Sequence, residues 1–493
     1  DMEIEAGEED DGHVGSADVR VINTGSIVAA GGATVVPGQL IGMPQEMVLV
    51  NPVAALNVDA SDVTGTSTIR IENGTDGVIS ALANFSVLLP NGYQEQAGTA
   101  GASSVAIAAS GQFITIVNSG RIEGGAGSDY ANAPNVVFNG PDLPDRYLAG
   151  SIQTLGDEYD PADPAGYVGS IDHVINREGG VIIGSIDLGA NDDIIENYGS
   201  ISGNVFLRDG DDTFIHGLLA SFDGIADGGT GTDTLVFDIT GALYTGSIDP
   251  VLRAKFVNFE IEKLIGTGRV VAEEGITVAE GGELILTEDS TIDVGAGNDA
   301  VSGSEGSGET VVLQGTIVGN VNMKGGDNVV TNQASITGDI LAGDGNNRIA
   351  NPEGLTLTGS IALGDGENNV VNQGVVTGDV RFGDGGNHFA NSGQIGGDVR
   401  FGGGDDVLDL TGDWAIGGTV VGGGGTDIVN ASFSSAPVPE AGLPVLDLSG
   451  FEQIEQFNVN GGTGKIGGTA TFDDIQINQG RLIGAQGSDI NAD

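Results

Sequence analysis

Short runs of alternating apolar and polar residues recur along this chain, each closed by an asparagine with a glycine two residues later. They read Val21-Ile22-Asn23-Thr24-Gly25-Ser26-Ile27, Ile116-Val117-Asn118-Ser119-Gly120-Arg121-Ile122 and Ile195-Glu196-Asn197-Tyr198-Gly199-Ser200-Ile201. Later copies pass through Asn372-Gln373-Gly374-Val375 and Asn391-Ser392-Gly393-Gln394-Ile395 to Asn478-Gln479-Gly480-Arg481-Leu482. Asn332, Asn351, Asn372 and Asn391 stand 19, 21 and 19 residues apart, and Asn176 and Asn197 stand 21 apart. A unit of about 20 residues is too short for helical repeats, and the Leu-x-x-Leu-x-Leu frame of a leucine-rich repeat is absent.

One unit runs Phe389-Ala390-Asn391, then Gln394 to Phe401, then the turn Gly402-Gly403-Gly404-Asp405-Asp406. Period-2 alternation punctuated by glycine and Asx residues predicts strand-turn-strand-turn, with no room for a helix. Such a coil cannot bury its own apolar residues. Stacked on copies about 4.8 Å away, it forms continuous columns of Val, Ile and Phe and pairs its backbone above and below. The predicted fold is therefore all-β, a parallel β-solenoid (β-helix) of about 20-residue coils with long loop insertions, and its corner asparagines are expected to form a ladder.

The pattern also divides the chain. Residues 1–18 are acidic and read as a tail or cap, and residues 19–169 as an N-terminal solenoid with insertions. The period fails from Gly32 to Asp59, from Ala83 to Gly111 and from Gly124 to Val168. The last stretch holds five of the 14 prolines. Because proline cannot donate to a ladder, segment 124–168 is expected to leave the wall as a long loop. A second level of repetition follows, since Asn197 and Asn391, Asp211-Asp212 and Asp405-Asp406, and Asp233 and Asp427 are each 194 apart. Phe259-Glu260 and Phe451-Glu452 are 192 apart. These offsets predict a duplicated module over 170–290 and 365–493, joined by coils at 291–364.

Composition narrows the function. The formal charge is −54 with 16 Lys plus Arg, which excludes nucleic acid as a plausible partner and disfavours an anionic membrane. Such acidity instead favours divalent counterions. There are no cysteines, so disulfides and thiolate sites are absent. No apolar run is long enough for a transmembrane helix, and Asp1 begins no leader sequence, so the chain reads as a mature product.

Taken together, the Asn-x-Gly-x-Ile phrase, the Gly397-Asp398-Val399 turn, the acidic Gly-rich turns and the Phe-Glu element followed by Gly-rich strands resemble autotransporter passenger regions. The resemblance spans most of 19–485. It implies a surface-exposed β-helix of a Gram-negative bacterium, often an adhesin, located outside the cell. Nothing after Leu482 shows the alternating membrane strands of that family's translocator barrel. The expectation is an exported, non-enzymatic, adhesive or spacer solenoid whose partner is a host or neighbouring-cell receptor or glycan, or copies of itself. A self-assembling surface-layer or filament subunit joined through its ends and Ca²⁺ is the rival, and a polysaccharide lyase or hydrolase the next.

Candidate chemistry lies in the acidic turns. Asp209, Asp211, Asp212, Asp344, Asp365, Asp384, Asp405 and Asp406 are candidate Ca²⁺ ligands, since their turns resemble the calcium-binding Gly-Gly-x-Gly-x-Asp nonapeptide. Gly, Asp and Asn also make good turns without any ion. Stacked carboxylates about 4.8 Å apart nevertheless repel by roughly 1 kcal/mol in water, and several times that nearer a protein. The histidines His13, His173, His216 and His388 fall in no zinc frame, and no Gly-x-Ser-x-Gly occurs. The lone Trp414 is expected to fill the core. Tyr130, Tyr147, Tyr159 and Tyr167, in the proline-rich loop, are the candidate partner-contact residues.

Overall fold

The computed structural model describes residues 2–5, 17–30, 33–35, 48–50, 53–59, 67–82, 87–88, 94–95, 104–124, 150–155, 170–240, 243–244, 250–266, 269–271, 275–278, 280–306, 308–433, 445–447, 450–467, 469–479, 481–484 and 489–492. It divides into two compact units, Asp1–Asp238 with Pro250–Glu260, and Ile239–Asp249 with Ile261–Asp493. Each is a parallel β-solenoid. Apart from the one-turn helix Pro250–Arg253, the described regular structure is strand.

A coil has three strands rather than two. In the second unit one coil comprises His388–Asn391, Gln394–Ile395 and Val399–Arg400. The run from Gln394 to Phe401, which reads as one strand, is bent at Gly396-Gly397-Asp398. There the Gly396 and Gly397 N–H groups donate to carbonyls of the preceding coil, and the Asp398 N–H donates to Asp379 Oδ1 at 2.8 Å. Each strand pairs in parallel with its equivalents one coil away, as His388–Asn391 does with Asn369–Asn372 and with Val407–Gly412.

In the first unit the same three walls recur. One runs from Ala17–Asn23 through Ser67–Asn73 and Phe113–Asn118 to Thr213–Gly217 and Thr234–Asp238. The second runs from Ser26–Ala30 to Ser221–Asp223. The third contains Val53–Asp59, Ser104–Ser110 and Gly150–Leu155, all in register. Those three strands lie inside the stretches where the sequence period fails. The supposed long loops thus return to the wall once per coil: Gly150–Leu155 pairs with Ser104–Ser110 and with Ile186–Asp187. The prolines of 124–168 stand outside that short strand, which is why it was hidden.

Alternation supplies the core. Ile71, Ile116, Val174, Ile195, Phe214 and Leu235 stack in one buried column of the first unit. Leu284, Val311, Val330, Ile349, Val370, Phe389, Leu408, Val429 and Phe457 form its counterpart in the second. Coil spacing also sets ring stacking, with Phe382 and Phe401 parallel at 4.8 Å between centroids. Trp414 differs from expectation: it is only half-buried, in the corner ahead of Ala415–Ile416, and fills no core column.

The ring of Phe382, just after the preceding coil's third strand, lies 5.9 Å from that of Phe389 between centroids. Phe389→Ala should therefore lower unfolding stability by about 3–5 kcal/mol, measured by denaturant titration followed by circular dichroism.

Candidate functional site

Polar side chains that face inward from a stacked coil meet their own equivalents in the next coil. The corner asparagines satisfy this as expected. In the first unit Asn23, Asn73, Asn118 and Asn176 each pass an Nδ2–H to the Oδ1 of the next asparagine, ending on Asn197, at 2.8–2.9 Å. In the second, Asn332, Asn351 and Asn372 do the same, ending on Asn391, at 2.7–2.8 Å. The glycine two residues on has its own reason: its N–H donates to the asparagine Oδ1, as Gly120 does to Asn118 and Gly199 to Asn197, both at 3.2 Å. An added Cβ at Gly120 or Gly393 would run into backbone carbonyls of the preceding coil.

The ladders end where the sequence changes. After Asn197 the corner holds His216, whose Nδ1 lies 3.5 Å from Asn197 Nδ2. The amide is a donor there, so Nδ1 accepts and the proton sits on Nε2. Burial among Phe214, Phe222, Phe237 and Phe256 pushes the imidazole down to about 4. In the second unit Asn391 is followed in register by Leu410. The late phrase at Asn478 is not part of the corner. Ile477 takes the register position and Asn478 donates instead to exposed Asn460, at 2.9 Å.

The acidic turns resolve into separate columns. Asp344, Asp365 and Asp384 stack on the exposed side, where the Asp365 N–H donates to Asp344 Oδ1 at 2.9 Å, the Asp384 N–H to Asp365 at 2.8 Å and the Gly403 N–H to Asp384 at 2.7 Å. Asp209 holds the equivalent place in the first unit and accepts from Thr230 Oγ1 at 2.7 Å. Asp211 and Asp405 stand two residues further round and accept from the N–H groups of Thr232 and Thr426, both at 2.8 Å. Asp212 and Asp406 are fully buried and belong to a third column. The eight aspartates are thus spread over three columns in two units. Among the described residues no group of three or more His, Asp or Glu side chains is gathered where it could hold a metal ion. Tyr130, Tyr147, Tyr159 and Tyr167 lie outside the described residues.

The buried third column was not visible as a unit in the sequence. In the second unit it contains Asn328, Asn347, Asn368, Asn387, Asp406 and Asp427. Each backbone N–H donates to the next coil's Oδ1, from Asn328 N–H to Asn347 at 3.2 Å through Asp406 N–H to Asp427 at 3.0 Å. The Asp427 N–H then donates to Glu455 Oε2 at 2.8 Å. In the first unit the members are acids: Asp172 N–H donates to Asp193 Oδ1, Asp193 to Asp212, Asp212 to Asp233, and Asp233 to Glu260 Oε2, at 2.7–2.9 Å. Burial, then the Asp172 charge, pushes Asp193 up to about 10. Burial raises Asp212 to about 7, and Asp233 and Asp427 to about 6.

This column changes the offset between the two segments predicted to be duplicated. Glu455 matches Glu260, an offset of 195 rather than 192, and the strands Phe256–Val257 and Phe451–Glu452 occupy matching walls. Asn258 and Gln453, both at positive φ (56° and 55°), lie at the same offset. Phe451 is therefore the counterpart of Phe256, not of Phe259.

No protein-family model matches the chain. No curated protein matches it. Among solved structures, a hyperactive, Ca²⁺-dependent, β-helical antifreeze protein from an Antarctic bacterium aligns with 78% of this chain and 86% of its own, at 15% identity and a TM-score of 0.24. At that score the likeness carries no conclusion about this chain.

Asn372→Ala would leave Asn351 Nδ2 without its buried acceptor at 2.7 Å and remove the donor to Asn391. A loss of about 1–3 kcal/mol is expected, read by thermal or chemical denaturation.

Proposed function

We propose that this chain is a non-catalytic structural solenoid, exported to the bacterial cell surface, where it acts as an adhesive or spacing element. The observation that carries the reading is the use made of its polar side chains. The asparagines, and the exposed turn carboxylates through one oxygen each, are spent on coil-to-coil hydrogen bonds. The His-Asp and His-Glu pairs follow the same logic. His388 Nε2 lies 2.8 Å from Asp409 Oδ2, and His173 Nε2 lies 2.7 Å from Glu196 Oε1, each pair on the outer side of a wall. No helix among the described residues is long and apolar enough to cross a membrane.

Calcium enters this reading as a counterion. The outward oxygens of Asp344, Asp365 and Asp384 repeat one per coil, a spacing that suits a divalent ion shared between neighbouring carboxylates and relieves their repulsion. Addition of Ca²⁺ should raise the melting temperature, and the triple substitution of these aspartates by asparagine should remove most of the gain. An unchanged melting temperature in the parent protein would take calcium out of the account.

The surface role is tested by coating beads with purified chain and measuring retention on bacterial and animal cells, with electron microscopy of the same material with and without chelator. Retention of coated beads above uncoated ones, with single particles in the micrographs, is the expected result. Ordered polymers that dissolve in chelator would instead identify an assembly subunit. Release of reducing ends or unsaturated products from acidic polysaccharides would contradict a non-catalytic role.

A further inference from the structure

The buried third column poses a chemical problem that its asparagine members solve and its acids do not. In Asn347, Asn368 and Asn387 the two Nδ2 hydrogens are shared among three acceptors. Two hydrogen bonds go to carbonyls of its own turn, those of Gly343 and Gly345, Gly364 and Gly366, or Gly383 and Gly385, at 2.8–3.2 Å. The third goes to the next coil's Oδ1 at 2.9–3.0 Å. The second branch atom of each column member therefore sits in a pocket made only of acceptors.

Asp193, Asp212 and Asp233 occupy the same column position in the first unit, with Oδ1 fixed by the same backbone N–H contact. Their Oδ2 atoms consequently point where the amide Nδ2 points. All three side chains are fully buried, and none of the three Oδ2 atoms has a hydrogen-bond partner as an acceptor. The residue two before each, Asn191, Gly210 and Gly231, has positive φ, as do Gly345, Gly366 and Gly385 before the asparagines. The turn is thus the same in both sets. An added Cβ on Gly228 would run into the Asn258 carbonyl and would also lie 2.7 Å from Asp233 Oδ2.

We infer that Asp193, Asp212 and Asp233 are a proton-binding column: the fold holds them as neutral carboxylic acids whose Oδ2–H groups take over the donor role of the asparagine amides. Each acid then donates to the next coil's carboxyl oxygen, and the line ends on Glu260, which is exposed. The amides that hold this place in the second unit stand 2.8–3.2 Å from their acceptors, the distance at which a carboxylic O–H donates. The charged groups acting on the column are Asp172 and Asp192 on Asp193, Asp192 and Asp211 on Asp212, and Asp211, Asp227 and Glu260 on Asp233, every one an acid. No base among them favours ionisation.

The consequence is a solenoid that tightens in acid. These folded-state values lie above that of an unfolded aspartate, so the contribution is complete below about pH 4. It is lost as pH rises through about 6 for Asp233, about 7 for Asp212 and about 10 for Asp193. Asp406 and Asp427 repeat the arrangement at the end of the second unit's amide column, with Oδ2 again unpartnered.

The test compares the parent chain with Asp212→Asn and Asp233→Asn by thermal melting from about pH 5 to pH 9. The variants supply a permanent donor. They should match the parent at pH 5 and melt higher by about 3 °C or more at pH 9. A variant that melts lower than the parent at pH 9, or by the same margin at every pH, overturns the inference. Infrared spectroscopy of the folded parent at pH 7 reads the same claim without a variant. Expected is a carbonyl band from un-ionised carboxyl groups, and its absence would contradict the column. Stabilisation by Ca²⁺ that disappears in Asp212→Asn would mean that a metal, not a proton, occupies the site.

Discussion

Parallel coils stacked in register force every inward side chain to sit on its own equivalent. For apolar residues this is harmless, and the long columns of Ile, Val, Leu and Phe follow from it. For polar residues it is a strict condition, because a group stacked on itself must be donor and acceptor at once. An amide meets the condition. A carboxylate meets it only with a backbone N–H in front of one oxygen and either water or a proton on the other. Most of the chain's polar architecture can be read as solutions to this one problem.

The acids illustrate it. The formal charge of −54 is spread among groups in different situations. Asp344, Asp365 and Asp384 give one oxygen to the neighbouring coil and the other to solvent. Asp398 accepts the Thr419 N–H at 2.8 Å and pairs with Arg400, and that backbone bond, followed by the ion pair, lowers its titration. Asp193, Asp212 and Asp233 have neither solvent nor base and titrate in the opposite direction. Composition alone cannot distinguish these groups, since Asp211 and Asp212 are adjacent in sequence and face opposite ways.

Much of the architecture was legible because the ladder demands the same residue at a fixed interval. The spacing of Asn332, Asn351, Asn372 and Asn391 reports coil length directly, and the glycine two residues later reports the tight corner. What stayed hidden depends on direction rather than period. The third wall, with strands as short as Val399–Arg400, is bounded by corners that read as strand interior. Strands such as Gly150–Leu155 lie among residues of loop-like composition. The inner column was obscured because one structural position holds Asp in the first unit and Asn, then Asp, in the second, so a search for acids finds only part of it. Asn478 shows the converse, a phrase preserved in sequence while its asparagine stands one place out of register.

The central claim is that the buried acids of the inner column carry protons that replace the donors of the asparagine amides. Neutron diffraction from deuterium-exchanged crystals grown near neutral pH tests it most directly, because it locates the protons of the inner column. The account predicts deuterium on Asp193 Oδ2, directed at acceptors of its own turn and of Asp212 in the next coil, the counterparts of those that the Asn347 and Asn368 amides reach. A bare carboxylate at that position, or a metal ion bound to it, would contradict it.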